Sequence, residues 1–416
     1  MNALVARLRT SERAWSGALF CGLCLVLVSG SPTGAVPASL LAQAEAAALG
    51  TLLALWVARA TGLRRHGLAM ALAALFTTPL LPYAFVPGEI RPALLLFAAG
   101  FLAIGPTRLR SPARDLGLLL ASSGILLLAP SGRLLLPVLL WLAWCAAERR
   151  GTERRVDPKP GFYAVAAILA GLALVGAWRL DRGPIAFAGS PIEWLIHVHG
   201  FLLSLNKGLV LFAPLVLIGL WRAFRGAVTD RRTGRFALFA AASLIVPFAG
   251  LEQWCDASWG PRHLLAALAP ALLAVALSRT ERARRGGHRR WILAAVVCGL
   301  AVNTLGTAIP QTALAEVAGP ARTETSVALL FDPAWNHPRV NAALLGVWLV
   351  ARLPFLPPLP ELAESTVTAA ATPGPVLLRV FDTVERAALL PYALLLTITG
   401  TLGWGLLVLV RRAGRE

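Results

Sequence analysis

The sequence predicts an all-α, polytopic membrane protein, and three observations support this class. Hydrophobic residues make up 57% of the 416-residue chain and charged residues only 14%, whereas a soluble globular protein carries about 25% charged residues. Apolar runs approaching the length of a membrane helix recur along the chain. Arginine residues concentrate in the stretches between alternate runs. A chain with so little charge cannot cover the surface of several soluble domains.

The apolar runs predict about twelve membrane spans, bounded by charged or turn-forming residues. Several contain glycine or proline, which membrane helices tolerate. The first run follows a basic start that also fits a signal peptide. Residues 31–35 after it do not form a small-x-small cleavage site, so we expect an uncleaved anchor. The runs lie near 14–30, 39–58, 67–85, 92–105, 116–130, 134–147, 161–178, 208–221, 236–251, 263–278, 291–309 and 387–410.

Twelve spans place both termini on one side of the membrane, and the basic residues then separate by side. Of the 39 lysines and arginines, 28 fall in the termini and loops of that side. The positive-inside rule makes this side cytoplasmic. The formal charge of +18 is therefore a topology signal spread over connecting loops. A nucleic-acid partner would need one basic domain instead, so none is expected.

This topology divides the chain into three parts. Residues 1–309 form a transmembrane core of about eleven spans, and residues 387–416 form the final span with a basic cytoplasmic tail. Residues 310–386 form the one long periplasmic segment. Within it, Asn341–Val350 is apolar but too short to span the bilayer, so we expect an amphipathic helix on the outer leaflet.

Outer-face stretches contain polar side chains that catalysis or binding would need. Glu89 and Arg91 lie at the junction of the third and fourth spans, either as an ion-paired, solvated turn or beside a substrate cavity. Lys207 precedes the eighth span, where free N–H groups of a helix start favour a phosphate. The alternative is a lysine that extends to the membrane interface. Glu45 lies inside the second span, where it is functional, neutral, or satisfied by a neighbour such as Gln43.

The richest stretch, residues 252–263, leads into the tenth span. It contains two carboxylates, two tryptophans, an arginine and a histidine. An aromatic belt at the membrane interface is one interpretation. A Gly-Pro pair fixes the entry of the chain, however, so that Arg262 starts a helix and presents planar donors suited to phosphate. His197 and His199 lack clear further ligands, so we interpret them as interface histidines rather than a metal site.

These outer stretches resemble the GT-C superfamily of membrane glycosyltransferases, in particular bacterial proteins similar to protein O-mannosyltransferases, which use polyprenyl-phosphate sugars. Those proteins share a Lys-Gly turn, an apolar span that opens with a Ser-Pro pair, and a Trp-rich loop that ends in Gly-Pro-Arg. The resemblance covers most of residues 40–350. The matching residues are Leu205–Gly208, Phe212–Pro214, Trp254–Leu264, Thr78–Tyr83, Gly88–Glu89 and Phe331–Pro333.

The resemblance implies an inverting transferase of the bacterial inner membrane, which moves a sugar to a glycan, lipid or protein hydroxyl on the periplasmic side. Arg262 and Lys207 would bind the phosphate of the donor. Glu89 or Asp256 would accept the proton of the acceptor. No nucleotide, metal or other cofactor is expected. Contacts with the sugar or the acceptor would come from Trp254, Trp259, His263 and Tyr83.

The first outer loop departs from the family pattern. Catalytic members carry an acidic residue there, which activates the acceptor, whereas residues 29–39 contain no acid. Either another carboxylate replaces it or the protein has lost transfer activity. The alternatives to an enzyme are therefore a transporter or flippase, which would bind a lipid-linked glycan without cleaving it, and a non-catalytic GT-C-like protein.

Overall fold

The secondary structure is known over most of the predicted core. A computed structural model describes residues 36–84, 86, 88–106, 122, 125, 134–148, 190–250, 259–278, 287–308 and 337–342. These residues are mostly helical and contain no strand, which confirms the all-α class for this part of the chain. The predicted spans near 14–30, 161–178 and 387–410, and nearly all of the span near 116–130, lie outside the described residues. So does most of the predicted periplasmic segment.

The helices differ widely in length, and the two shortest α-helices lie beside points where a helical run is interrupted. A 3-10 turn, Arg262–Leu264, leads directly into α10. The α-helices with described bounds are α1 (Val36–Thr61), α2 (Arg64–Phe76), α3 (Leu80–Tyr83), α4 (Arg91–Ile104), α5 (Leu136–Glu148), α6 (Pro191–Leu203), α7 (Leu209–Phe212), α8 (Pro214–Phe224), α9 (Arg231–Ala249), α10 (Leu265–Ala276) and α11 (Gly287–Ala308).

Most predicted spans in the described residues coincide with single helices, namely α1, α4, α5, α9, α10 and α11. Two predicted spans are each divided into two helices. The span near 67–85 is broken between α2 and α3, where the hydroxyl groups of Thr77 and Thr78 donate to the carbonyls of Ala73 and Ala74, both at 2.6 Å. The span near 208–221 is broken at Ala213, before the proline that starts α8. Proline removes a helical N–H and favours such breaks.

Helix α6 has no counterpart among the predicted spans. It begins with a capping box, in which the Ser190 hydroxyl accepts the Glu193 N–H and the Glu193 carboxylate accepts the Ser190 N–H, both at 3.2 Å. Pro191 occupies the first helical position, where its missing N–H costs nothing. The Ser-Pro-x-Glu pattern is a helix-start signal, and it identifies α6 where apolar runs do not.

One described helix, over Arg290–Thr307, is long and apolar enough by itself to cross a bilayer. The other apolar helices of the described residues are shorter, from ten to seventeen residues. A helix of fourteen residues is only about 21 Å long, against a hydrocarbon core of about 30 Å. The twelve spans and the membrane location therefore stay predictions.

Contacts between loops and helix ends define one end of the bundle. Trp259 packs against Phe212, at the end of α7, and against Gly306, near the end of α11. Glu89, just before α4, contacts Arg262, just before α10. We call this the ion-pair end.

The opposite end, which we call the arginine end, is joined by Arg222 near the end of α8. Its guanidinium donates to the Val275 carbonyl at 3.2 Å and to the Ser278 hydroxyl. An antiparallel bridge from Val228 to Ser278 leads on to α9. The described basic residues of this end are Arg59, Arg64, Arg65, Arg222, Arg225, Arg231, Arg232, Arg235 and Arg290. Arginines that the sequence assigns to one side of the membrane thus lie at one end of the bundle. That this end faces the cytoplasm stays a prediction.

The core between the two ends is apolar and closely packed. Trp56 of α1 lies with its ring centroid 5.1 Å from that of Phe97 and 6.2 Å from that of Phe236. Helices α8 and α10 approach closely at Gly219, where an added Cβ would collide with the Ala271 carbonyl. Small residues at such crossings allow backbones to approach, and this packing holds the helix ends in fixed positions.

Candidate functional site

The centre of the candidate site is an ion pair between Glu89 and Arg262. The Arg262 Nε lies 3.2 Å from the Glu89 Oε2. The Arg262 side chain is 40% exposed and the Glu89 side chain 26% exposed, so both are accessible while partly shielded. The sequence predicts a separate role for each residue, Arg262 as a phosphate-binding cation and Glu89 as a base. The structure brings them into contact.

Two glycines with positive φ angles give the loops of this pair their shape. Gly88, with φ 81°, precedes Glu89, and Gly260, with φ 57°, lies two residues before Arg262. Only glycine adopts this region without steric cost. At Gly260 an added Cβ would also come within 2.6 Å of the Phe212 ring. The Arg262 N–H then donates to the Gly260 carbonyl at 3.0 Å. The Gly-Pro pair before Arg262 thus forms a tight turn, in agreement with the expectation that it fixes the entry of α10.

Tyr83 and Trp259 connect the two loops from inside. The Tyr83 hydroxyl donates to the Trp259 carbonyl at 2.9 Å, and both side chains are only 1% exposed. The Trp259 ring packs edge-on against Phe212 at 5.3 Å and lies nearly parallel to the His337 ring at 6.0 Å. In this conformation the two side chains support the Arg262 loop. Their predicted contact with a sugar or an acceptor stays a prediction.

The remaining residues of the Trp-rich stretch are only partly described. His263 is partly buried, and its ring lies 4.4 Å from that of Phe248, at the end of α9. Glu252, Trp254 and Asp256 lie outside the described residues. The roles predicted for Asp256 as a base and for Trp254 as a sugar contact therefore stay predictions.

Lys207 lies in the turn between α6 and α7, and Ser204 holds the backbone of that turn. The N–H groups of Asn206 and Lys207 donate to the Ser204 hydroxyl at 3.0 and 3.3 Å, and the Gly208 N–H donates to the Ser204 carbonyl at 2.8 Å. Ser204 therefore accepts from three N–H groups of the turn, all of which precede the first residue of α7. The phosphate site predicted at the helix start stays a prediction. The Lys207 side chain is buried, and its role in donor binding stays a prediction.

A second ion pair joins α1 to α4 at the same end. The Arg91 Nε lies 2.7 Å from the Glu45 Oε1, and Glu45 is buried. Arg91 therefore pairs with Glu45, and Glu89 with Arg262, instead of the Glu89–Arg91 pair that their spacing suggested. Gln43 does not form a hydrogen bond with Glu45. The Gln43 Oε1 and the Glu45 Oε2 are both buried, and neither has a hydrogen-bond partner. A nearby cation stabilises a buried carboxylate, but the sequence does not specify which cation packs beside Glu45.

The two histidines of α6 point in different directions. The His197 Nδ1 lies 2.8 Å from the Ala249 carbonyl and the ring is buried, whereas His199 is exposed. Residues two apart do not share a helix face, so the pair cannot act together on one ligand. Among the described residues, no group of three or more histidine, cysteine, aspartate or glutamate side chains is placed to hold a metal ion.

Comparisons with known proteins leave the family of the chain open. No family model, no curated protein and no solved structure matches it. The ion-pair end, where two cations and two carboxylates form two ion pairs, therefore supplies the chemistry from which a function is proposed.

Proposed function

We propose that the protein is a glycosyltransferase of the bacterial inner membrane, which transfers a sugar from a polyprenyl-phosphate donor to an acceptor hydroxyl on the periplasmic side. The observation that supports this proposal best is the accessible contact of Glu89 with Arg262. Breaking a sugar–phosphate bond requires a cation for the leaving phosphate and a base for the acceptor proton. Residues of both kinds lie together at one end of the bundle.

The reaction assigns a separate role to each partner. The acceptor oxygen attacks the anomeric carbon while the bond from that carbon to the phosphate oxygen breaks, and the electron pair leaves with the phosphate. Arg262 stabilises this developing charge in a site with little water. Glu89 accepts the proton of the acceptor hydroxyl. One displacement inverts the anomeric centre, and no cofactor takes part in it.

The ion pair also suggests how an empty site is prepared for the donor. A guanidinium carries five N–H donors, and Glu89 keeps that of Arg262 oriented before a phosphate arrives. A donor phosphate would compete for this guanidinium. The Glu89 carboxylate is then released toward the acceptor hydroxyl, so that donor binding and base activation occur together.

Donor binding by Arg262 variants tests the cation role. We expect Arg262→Ala to abolish binding of a polyprenyl-phosphate sugar and Arg262→Lys to retain a small fraction, because lysine lacks the planar pair of donors. Arg64→Gln is the matched control, since Arg64 is an exposed arginine of the arginine end. Equal donor binding by the wild type and Arg262→Ala would remove Arg262 from the site.

A transporter, flippase or non-catalytic binding protein for a lipid-linked glycan is the second candidate. Two observations favour it: the first outer loop contains no acid, and Glu45 and Glu89 are each already paired with an arginine. Such a protein would bind the donor phosphate through Arg262 without cleaving it. Donor binding or translocation by a wild-type protein that releases no sugar would support this candidate over the enzyme.

A further inference from the structure

We propose that the arginine end carries a binding site for the headgroup of an anionic phospholipid, formed by Arg225 and Trp221 at the end of α8. The exposed rings of Phe224 and Trp291 extend this site as an apolar border. The inference depends on the membrane location in the proposed function, but not on sugar transfer. It concerns the end of the bundle opposite to Glu89 and Arg262.

The arginine and the indole are held together in a geometry that suits a phosphate. The guanidinium carbon of Arg225 lies over the Trp221 ring, 4.4 Å from its centroid. An arginine that lies over an aromatic face directs its N–H groups sideways, where a phosphate can accept two of them. Neither residue is buried, since Trp221 is 56% exposed and Arg225 is also exposed.

Apolar rings surround this pair. The Phe224 ring stacks with Trp221 at a centroid distance of 6.2 Å and is 73% exposed. Trp291, in the first part of α11, is also 73% exposed. Because α8 runs away from the Trp259 end of the bundle and α11 runs toward it, Phe224 and Trp291 both lie on the side far from Trp259. These exposed rings therefore lie toward the same end of the bundle, and aromatic residues are enriched at membrane interfaces.

The charge beside these rings selects an anionic occupant. Asp230 is the one acid of the α8–α9 turn, and its carboxylate already accepts the N–H groups of Arg232 and Thr233 and the Thr233 hydroxyl. Arg225 and Arg290 are exposed and form no ion pair with a described residue. A surface with exposed rings and with guanidinium groups that form no ion pair with a described residue fits a molecule with an apolar tail and an anionic head.

Arg222, on the same helix, differs from Arg225 in its exposure and its contacts. It is partly buried, and its guanidinium donates to the Val275 carbonyl and the Ser278 hydroxyl. Its contacts join α8 to α10 within the protein. The exposed Arg225, three residues later, is placed to serve a ligand from outside.

Lipid binding by the full chain tests this site. Protein purified in detergent is titrated with phosphatidylglycerol or with phosphatidylcholine of the same acyl chains, and bound lipid is counted by native mass spectrometry. We expect the wild type to retain phosphatidylglycerol preferentially. Arg225→Gln should weaken that binding about fivefold, the equivalent of about 1 kcal/mol per arginine, and Trp221→Leu should weaken it as well.

The control is Arg64→Gln, which removes an exposed arginine of the same end that contacts no aromatic ring. It should leave the lipid preference unchanged. Equal losses in Arg64→Gln and Arg225→Gln would overturn the proposal in favour of diffuse surface charge. Equal retention of both lipids, or retention of neither, would also overturn it, and so would full displacement of phosphatidylglycerol by millimolar inorganic phosphate.

Discussion

The two ends of the helical bundle both use arginine, but they give it different partners. At the ion-pair end, Arg91 and Arg262 contact the carboxylates of Glu45 and Glu89. At the arginine end, Arg222 donates to a carbonyl and a hydroxyl, and Arg225 lies over an indole. A carboxylate beside an arginine adds a group that can accept a proton. The ion-pair end therefore suits chemistry, and the arginine end suits attachment to an anionic surface.

The backbone differs between the two ends as well. Short or irregular elements gather at the ion-pair end: α3 and α7 have four residues each, and a 3-10 turn of three residues carries Arg262. The arginine end starts α9 with a regular cap from Asp230. Irregular backbone within a membrane is tolerated where it is buried in protein or lines a cavity. The interrupted helices thus mark the end at which a substrate would bind.

Removal of the base should have the largest effect. We expect Glu89→Gln or Asp256→Asn to lower the turnover of sugar transfer by at least about 100-fold, with little loss of donor affinity, and we favour Glu89 because it contacts Arg262. The measurement is turnover and donor binding of both variants beside the wild type. Normal turnover in both would show that neither carboxylate is the base.

The two ion pairs should differ in their contribution to stability. We expect Arg91→Met to lower the free energy of unfolding by about 2–3 kcal/mol, because it leaves the buried Glu45 carboxylate without a cation. Arg262→Met should cost less than about 1 kcal/mol, because the carboxylate it leaves, Glu89, is more exposed than Glu45. Denaturant titration in mixed micelles measures both. Equal losses would contradict the distinction, and adding Glu45→Leu to Arg91→Met should recover part of the loss.

Two glycines, one at each end of the bundle, allow the cost of an added side chain to be compared between the ends. Both Gly260, at the ion-pair end, and Gly226, at the arginine end, have positive φ angles, of 57° and 64°. An added Cβ meets nothing within 4 Å at Gly226, but it meets the Phe212 ring at Gly260. We expect Gly226→Ala to cost about 1 kcal/mol and Gly260→Ala about 1–3 kcal/mol more from crowding. The same unfolding titration tests this, and similar costs would show that the Phe212 contact relaxes.

Chemical labelling tests the orientation of the two ends without a change in activity. Single cysteines replace the exposed Thr229, at the arginine end, and the exposed Ala342, whose neighbour Asn341 donates to the Leu305 carbonyl near the end of α11. In a cysteine-free protein in intact cells, an impermeant reagent should label position 342 and not position 229. By the same reasoning Lys159 and Arg285 should be protected, while Asp256 and Asp332 face outward. Labelling at 229 would reverse the topology.

Several features of the fold and the site could be predicted from local sequence. Apolar runs located six of the described helices, and the Gly-Pro-Arg sequence predicted the turn that places Arg262. Glu89 was recognised as a candidate from its position between two spans. These features depend on residues close together in the chain, whose backbone preferences act locally.

The partners of the charged residues could not be predicted in the same way. Arg91 contacts Glu45 across 46 residues of sequence, although Glu89 is only two residues away. The choice depends on how α1 packs against α4, which no local pattern specifies. The sequence did not predict the interruption at Ala213 or the three N–H groups that donate to Ser204, for a related reason. An apolar run predicts a helix but not where tertiary contacts break it.

Sugar transfer by the wild-type protein in proteoliposomes tests the proposed glycosyltransferase activity most directly. A polyprenyl-phosphate donor with a radiolabelled sugar is supplied together with glycan, lipid and peptide acceptors, and the label on each acceptor is followed over time. We expect label to move to one acceptor class with the wild type and with Arg64→Gln, but not with Arg262→Ala. Wild-type protein that binds the donor yet moves no label to any acceptor would contradict the enzyme proposal.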